Sequence, residues 1–167
     1  MQVFECVLFD TEFTAWEGSK VRKWSLEWEH RELIQLAAVR LKFDAGQAHI
    51  TATFNEVICP KINPDLSDYI VELTGITQGI VDEMGVDYLS AINLFYEFCH
   101  QGSLKTFSWG EDMGVLVENC ILNNMETPNF HGGFANLQSL ARKSWDALDL
   151  VAPVRITANP VSLLSRS

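Results

Sequence analysis

Apolar residues follow two rhythms along this chain, and the rhythm changes once, near residue 60. Before it the period is that of strands. Val3 and Phe4, then Cys6 to Phe9, form a run broken only by Glu5, which reads as a strand over residues 3–9 buried on both faces. LIQLAAVRLKF, residues 33–43, gives a second strand. It separates into alternating sets, with Leu33, Gln35, Ala37 and Val39 on one face and Ile34, Leu36, Ala38 and Arg40 on the other. Asp44-Ala45-Gly46-Gln47 supplies a turn, and the β-branched run HITATFNEVICP, residues 49–60, a third strand. So short a turn pairs the two antiparallel.

Beyond Pro60 and Pro64 the spacing becomes helical. Asp65 or Ser67 caps a helix over 67–73 that Gly75 stops, and Thr77 caps another short one through Glu83. Leu89, Ile92, Phe95, Tyr96 and Cys99 share one face of a helix from Tyr88 to His100. Met113, Leu116, Val117, Cys120 and Ile121 do the same over 112–123. Between them LKTFSW, 104–109, is a fourth strand ended by Gly110; a weak fifth within 129–137 precedes a last helix over 139–148. This order implies an α/β fold: a mixed sheet, antiparallel hairpin first and parallel crossovers after, flanked by helices. Residues 15–31 lack clear periodicity, and a connection that long beside a polar strand end is more often functional than idle.

The length, 167 residues, suits one domain over 1–167 with a sizeable core. No apolar run approaches the roughly 18 residues needed to span a bilayer, so no membrane is expected. Cys6, Cys59, Cys99 and Cys120 stand far apart, without C-x-x-C or zinc-ligand spacing, which suits reduced thiols in a cytoplasmic protein. The net charge of −10 argues against broad nonspecific nucleic-acid binding. That charge is uneven: Asp44 to Ala141 holds thirteen acids and two bases, whereas residues 15–43 hold six bases interleaved with Trp16, Trp24 and Trp28. Bases among aromatics suit a strand that offers phosphates and stackable rings; equally, they suit a solvated loop whose tryptophans cover the core.

The candidate chemistry begins where the first apolar run ends, at VLFDTEFT, residues 7–14. Asp10 and Glu12, two positions apart, point to one face of a strand. Ionised carboxylates are rarely buried unpaired, so the pair wants a cation, and oxygen ligands favour Mg²⁺ or Mn²⁺. A strand end with a helix-capping Asp would show the same residues. The fourth strand, returning parallel beside the first, brings Ser108-Trp109-Gly110-Glu111-Asp112 to the same end. There Asp112 either completes a three-carboxylate site or simply favours the helix dipole. Asp10, Glu12 and Thr14 also resemble the nucleophile motif of haloacid-dehalogenase-like phosphatases, but no later lysine and acidic pair follows in the right setting.

FDTEFT followed by SWGEDMGVL resembles the first two motifs of the DEDD, DnaQ-like 3′–5′ exonucleases. CPKINPDLSDYIVELTGITQGIVDEM is similar to the branch holding the histone-mRNA and small-RNA 3′ exonucleases, and HRELIQLAAVRL and FANLQSLARKSW continue the likeness over residues 3–145. The resemblance implies a ribonuclease H-like five-stranded fold and metal-dependent removal of nucleotides from single-stranded 3′ ends, RNA more than DNA. It implies two Mg²⁺ or Mn²⁺ ions on Asp10, Glu12 and Asp112, with Phe13, Thr14, Leu73 and Thr74 around the terminal nucleoside.

The family's third motif, a His and an Asp one helical turn apart, has no counterpart here: no His follows His131 and no acid follows Asp149. Trp145 to Asp149 has the spacing of the motif's tyrosine variant, but falls too early, and Trp is no base. The expectations are therefore an impaired exonuclease with an incomplete C-terminal helix or, alternatively, an inactive exonuclease fold that binds nucleic acid or protein. An incomplete last helix is further expected to expose apolar surface on one sheet face.

Overall fold

A computed structural model describes residues 3–148. Five strands form one mixed sheet in the order β3-β2-β1-β4-β5. They are β1 (Phe4–Phe13), β2 (Leu33–Asp44), β3 (Gln47–Val57), β4 (Lys105–Ser108) and β5 (Phe134–Asn136). The helices are α1 (Ser19–Arg22), α2 (Asp68–Thr74), α3 (Gln78–Met84), α4 (Tyr88–Phe98), α5 (Asp112–Leu122) and α6 (Leu137–Leu148). β1 is central, antiparallel to β2 and parallel to β4, as the element order implies. Asp149 lies outside the described residues, and with it the Trp145–Asp149 spacing.

One boundary and one connection add to the expectation in ways that matter. The first strand does not end at residue 9 but runs to Phe13, because Asp10, Thr11 and Glu12 keep pairing with Ala37, Leu36 and Gln35. Ladder hydrogen bonds use the main chain and are indifferent to side-chain polarity. The carboxylates thus sit within a strand. The register slips between Glu12 and Phe13, where Phe13 faces Leu33, a bulge that re-aims the strand's last residues. The connection without clear periodicity contains the one-turn α1. Elsewhere the caps are as the sequence suggests. Ser67 and Thr77 accept from the amides of Ile70 and Ile80, and Gly75 ends α2 at φ 77°.

The two faces of β1 are covered differently. Val7 and Phe9 pack beneath α4 and α5 with Ala91, Ile92, Phe95, Val115 and Leu116, all buried. Phe95 sits among Phe9, Phe54 and Phe130 at ring separations of 5.4, 5.7 and 5.8 Å, and burying such a ring stabilises the fold by about 2–3 kcal/mol. On the opposite face Cys6 is buried but Phe4 and Phe43 are exposed. There Phe4, Cys6, Leu8, Leu41, Phe43 and Phe107 line an apolar groove with Leu137 of α6. The expected burial on both faces therefore holds fully on one side only. A second cluster, Ala15, Ile34, Val57, Ile70, Ile76 and Val81, seats α2 and α3 against the far end of β2.

Candidate active site

Alternation along β1 sends Val7, Phe9 and Thr11 to the face under α4 and α5, and Asp10 and Glu12 to the other. Asp112 arrives from β4. The chain leaves Ser108, turns at Gly110 with φ 141°, and starts α5 at Asp112. The helix cap is Glu111, with no side-chain cap bond. The Asp112 carboxylate instead reaches β1, where its Oδ1 accepts from the Thr11 hydroxyl at 2.8 Å and the Thr11 amide at 3.2 Å. A helix-start aspartate is thereby fixed to Thr11, the residue between Asp10 and Glu12 in β1.

The three carboxylates lie within electrostatic reach of one another. Burial, then the charge of Asp112, raises the Asp10 carboxyl from 3.8 to about 6, against a lowering by the Thr11 amide. Burial, then Asp10 and Asp112, raises Glu12 from 4.5 to about 7. Asp10 is open to solvent at the surface, so its environment is a recess, with protein displacing part of the surrounding water. Among the described residues no three His, Cys, Asp or Glu side chains close around one point to hold a metal ion. The donor chemistry does fit a hard divalent cation: three oxygen-bearing groups whose mutual repulsion a cation would relieve. Beside Asp112, at the carboxyl ends of β4 and β5, lies an open depression of about 270 Å³ lined by Ser108, Gly110, Glu111, Met113 and Asn136 among others. Asp10 and Glu12 are not among its walls.

The residues expected around a nucleoside divide in two. Phe13 is half-buried, its ring 5.5 Å from Trp24, and the Arg31 guanidinium lies 6.0 Å from it. Leu73 is 64% exposed on α2. The two threonines are spent internally. Thr14 donates to the His30 carbonyl at 2.6 Å and accepts from the Glu32 amide at 3.0 Å. Thr74 donates to the Ile70 carbonyl at 2.8 Å and accepts from the Ile76 amide at 3.1 Å. Both hydroxyls are bonded to main-chain groups, and both residues are buried.

Sequence reasoning passed over three residues that hold this arrangement. Thr11 anchors Asp112. Buried Glu32 accepts the amides of Lys61, Ile62 and Asn63 at 2.6, 2.8 and 2.6 Å, tying the start of β2 to the segment before α2. Asn119 of α5 donates to the Arg31 carbonyl at 2.7 Å and accepts from the Leu33 amide at 2.9 Å. A polar residue on the buried face of an apolar helix was the one visible sign of the last.

Residues 7–144 match the family described as Exonuclease, RNase_T. The chain belongs to that family. The 3′–5′ exonuclease Snipper of Drosophila melanogaster is 28% identical over 166 residues, covering 87% of this chain and 56% of that protein. ERI1 exoribonuclease 2 of Xenopus laevis is 35% identical over 162 residues, 83% of this chain and 22% of its own length. The chain thus spans just over half of one relative and about a fifth of the other. The nuclease domain of 3′hExo, a DEDDh family member bound to rAMP, shares the fold at a TM-score of 0.69 and 20% identity, over 93% of this chain and 84% of that one. A 3′-exonuclease solved for 3′-end specific recognition of the histone mRNA stem-loop does so at 0.70 and 22%, over 88% and 50%. The mixed five-stranded sheet flanked by helices is the ribonuclease H-like arrangement of these exonucleases.

Proposed function

We propose that this chain is a 3′–5′ exonuclease domain that hydrolyses phosphodiesters from single-stranded 3′ ends, RNA more than DNA. The observation that carries this reading is the pair of hydrogen bonds from Thr11, the residue between Asp10 and Glu12, to Asp112, which joins distant parts of an exonuclease-family sequence. Two Mg²⁺ or Mn²⁺ ions bound by these carboxylates would stabilise the attacking and leaving oxygens of an in-line displacement. Thr11 holds Asp112 in place for that purpose. Phe13 and Leu73 offer apolar surface to the terminal nucleoside, and Thr14 and Thr74 keep the two walls in position behind them. Water adds at phosphorus, and the 3′ oxygen of the preceding nucleotide departs with a proton. The cysteines Cys6, Cys59, Cys99 and Cys120 are free thiols, which suits the reducing cytoplasm, and no described helix is long and apolar enough to cross a membrane.

The arrangement of the described carboxylates, which do not enclose a common point, favours a second reading. In it the domain is an inactive exonuclease fold that binds nucleic acid or protein. One experiment separates the two. A 3′-labelled single-stranded RNA is incubated with Mg²⁺ and the chain or its Asp10→Ala variant. Release of labelled mononucleotide by the first and not the second is expected; equal background from both rules out the exonuclease reading.

A further inference from the structure

The connection from β1 to β2 treats its three tryptophans differently. Trp24 turns inward. Its Nε1 donates to the Thr14 carbonyl at 3.1 Å and its ring packs on Phe13, over backbone held at φ 57° and 51° at Lys23 and Trp24. Trp16 and Trp28 instead meet each other edge to face at the surface, centroids 4.7 Å apart and planes at 77°, with Trp28 50% exposed. Neither ring belongs to a core cluster.

The pair is held rigidly all the same. The Trp16 amide donates to Ser19 Oγ at 2.9 Å, and Ser19 donates to Glu29, a buried carboxylate also gripped by Arg22 at 3.0 Å. The Trp28 carbonyl accepts from Asn63 Nδ2 at 3.2 Å, and the Asn63 amide is itself bound by Glu32. Exposed Leu26 and Ile62 sit on the same two segments.

We propose that the Trp16–Trp28 pair is a stacking subsite for a base of a single-stranded nucleic acid, upstream of the nucleotide at the carboxylates. The proposal rests on the exonuclease reading. Aromatic side chains fixed in place stack any base without choosing its sequence. The charge around the pair suits a phosphate chain. Arg22 and Arg31 are taken by Glu29 and Glu118, leaving exposed Lys20, Lys23 and Lys61 against Glu17 and Glu27. Lys61 is one of just two bases between Asp44 and Ala141. The subsite also follows the carboxylate-bearing strand closely in the chain. Trp16 follows Thr14 by two residues, and the Thr14 hydroxyl closes the connection's two ends on β1.

The test is fluorescence anisotropy of a 5′-fluorescein-labelled uridine octamer in EDTA, where nothing is hydrolysed, with tryptophan quenching read in parallel. The octamer quenches the wild-type chain. Trp28→Ala lowers its affinity about tenfold, within the range measured for single base–aromatic stacks, and Trp28→Phe retains most of it. Unchanged affinity in Trp28→Ala, with an unaltered melting temperature, overturns the subsite, as does binding without quenching in the wild type. Binding through Trp28 by a chain that releases no nucleotide with Mg²⁺ would uphold the subsite and overturn the exonuclease reading. Equal trimming and equal affinity in wild type and Trp28→Ala would do the reverse.

Discussion

Replacing Glu32 by alanine should unfasten the site's frame. The side chain is buried and binds three consecutive main-chain amides, those of Lys61, Ile62 and Asn63, at 2.6–2.8 Å. A hydrogen bond to a charged group is worth about 1.5–3 kcal/mol net, so three in simple sum would give about 4.5–9. The sum overstates the loss, because Lys61 and Ile62 are exposed and their freed amides regain water. Removing one side of such a network is then expected to cost about 3–5 kcal/mol. Glu32→Gln keeps an acceptor for Lys61 and Ile62 but turns an amide NH₂ toward the Asn63 N–H, so about 2 kcal/mol is expected. Urea unfolding monitored by far-UV circular dichroism measures both, with a midpoint falling by roughly 1–3 M for the alanine variant at ordinary m-values. Because the same segment leads into α2 and ties to Trp28, the KM for a single-stranded 3′ end should rise in step. A loss under about 1 kcal/mol in Glu32→Ala, or equal losses in both variants, would refute the network.

Two further outcomes follow from the same geometry. Thr11→Val keeps the volume and the 3.2 Å amide bond to Asp112 but removes the 2.8 Å hydroxyl bond; stability should fall by about 1–2 kcal/mol and kcat should drop, with Thr11→Ser restoring both, and a Thr11→Val enzyme with unchanged kcat would show that Asp112 needs no such anchor. Asp10 and Glu12 carry carboxyl pKa values raised to about 6 and about 7 by burial and mutual repulsion. The protonated forms therefore favour the folded chain, so their contribution is fully present below the ordinary carboxylate values of 3.8 and 4.5 and is lost as pH rises through about 6 to 7. In EDTA, the stability difference between Asp10→Asn/Glu12→Gln and wild type should thus grow in the variant's favour from pH 4 to pH 8, and Mg²⁺ should close the gap at pH 8; parallel pH curves for the two chains would contradict the shifts.

The elements and their order were legible in the string of residues. Period-2 runs gave the hairpin and the helical spacings gave α4 and α5, because burying one face selects for apolar residues at the repeat of the backbone. Ser67, Thr77 and Gly75 marked helix ends through local backbone chemistry that needs no distant partner. The acids at 10, 12 and 112 could be picked out together because strand alternation pairs the first two, the parallel return of β4 brings the third to the same end, and motif order links all three.

Where each polar group spends its hydrogen bonds became visible only in the folded chain. Nothing in the local sequence says that Asp112 binds Thr11 rather than capping its helix, that Glu32 gathers three amides from 29 to 31 residues away, or that Thr14 and Thr74 turn inward. Nor does composition separate Trp24, packed against Phe13, from the surface pair Trp16 and Trp28. Apolar burial repeats with the backbone and can be read from a string of letters; a hydrogen bond depends on two groups meeting within about 3 Å, and only the folded chain brings them there.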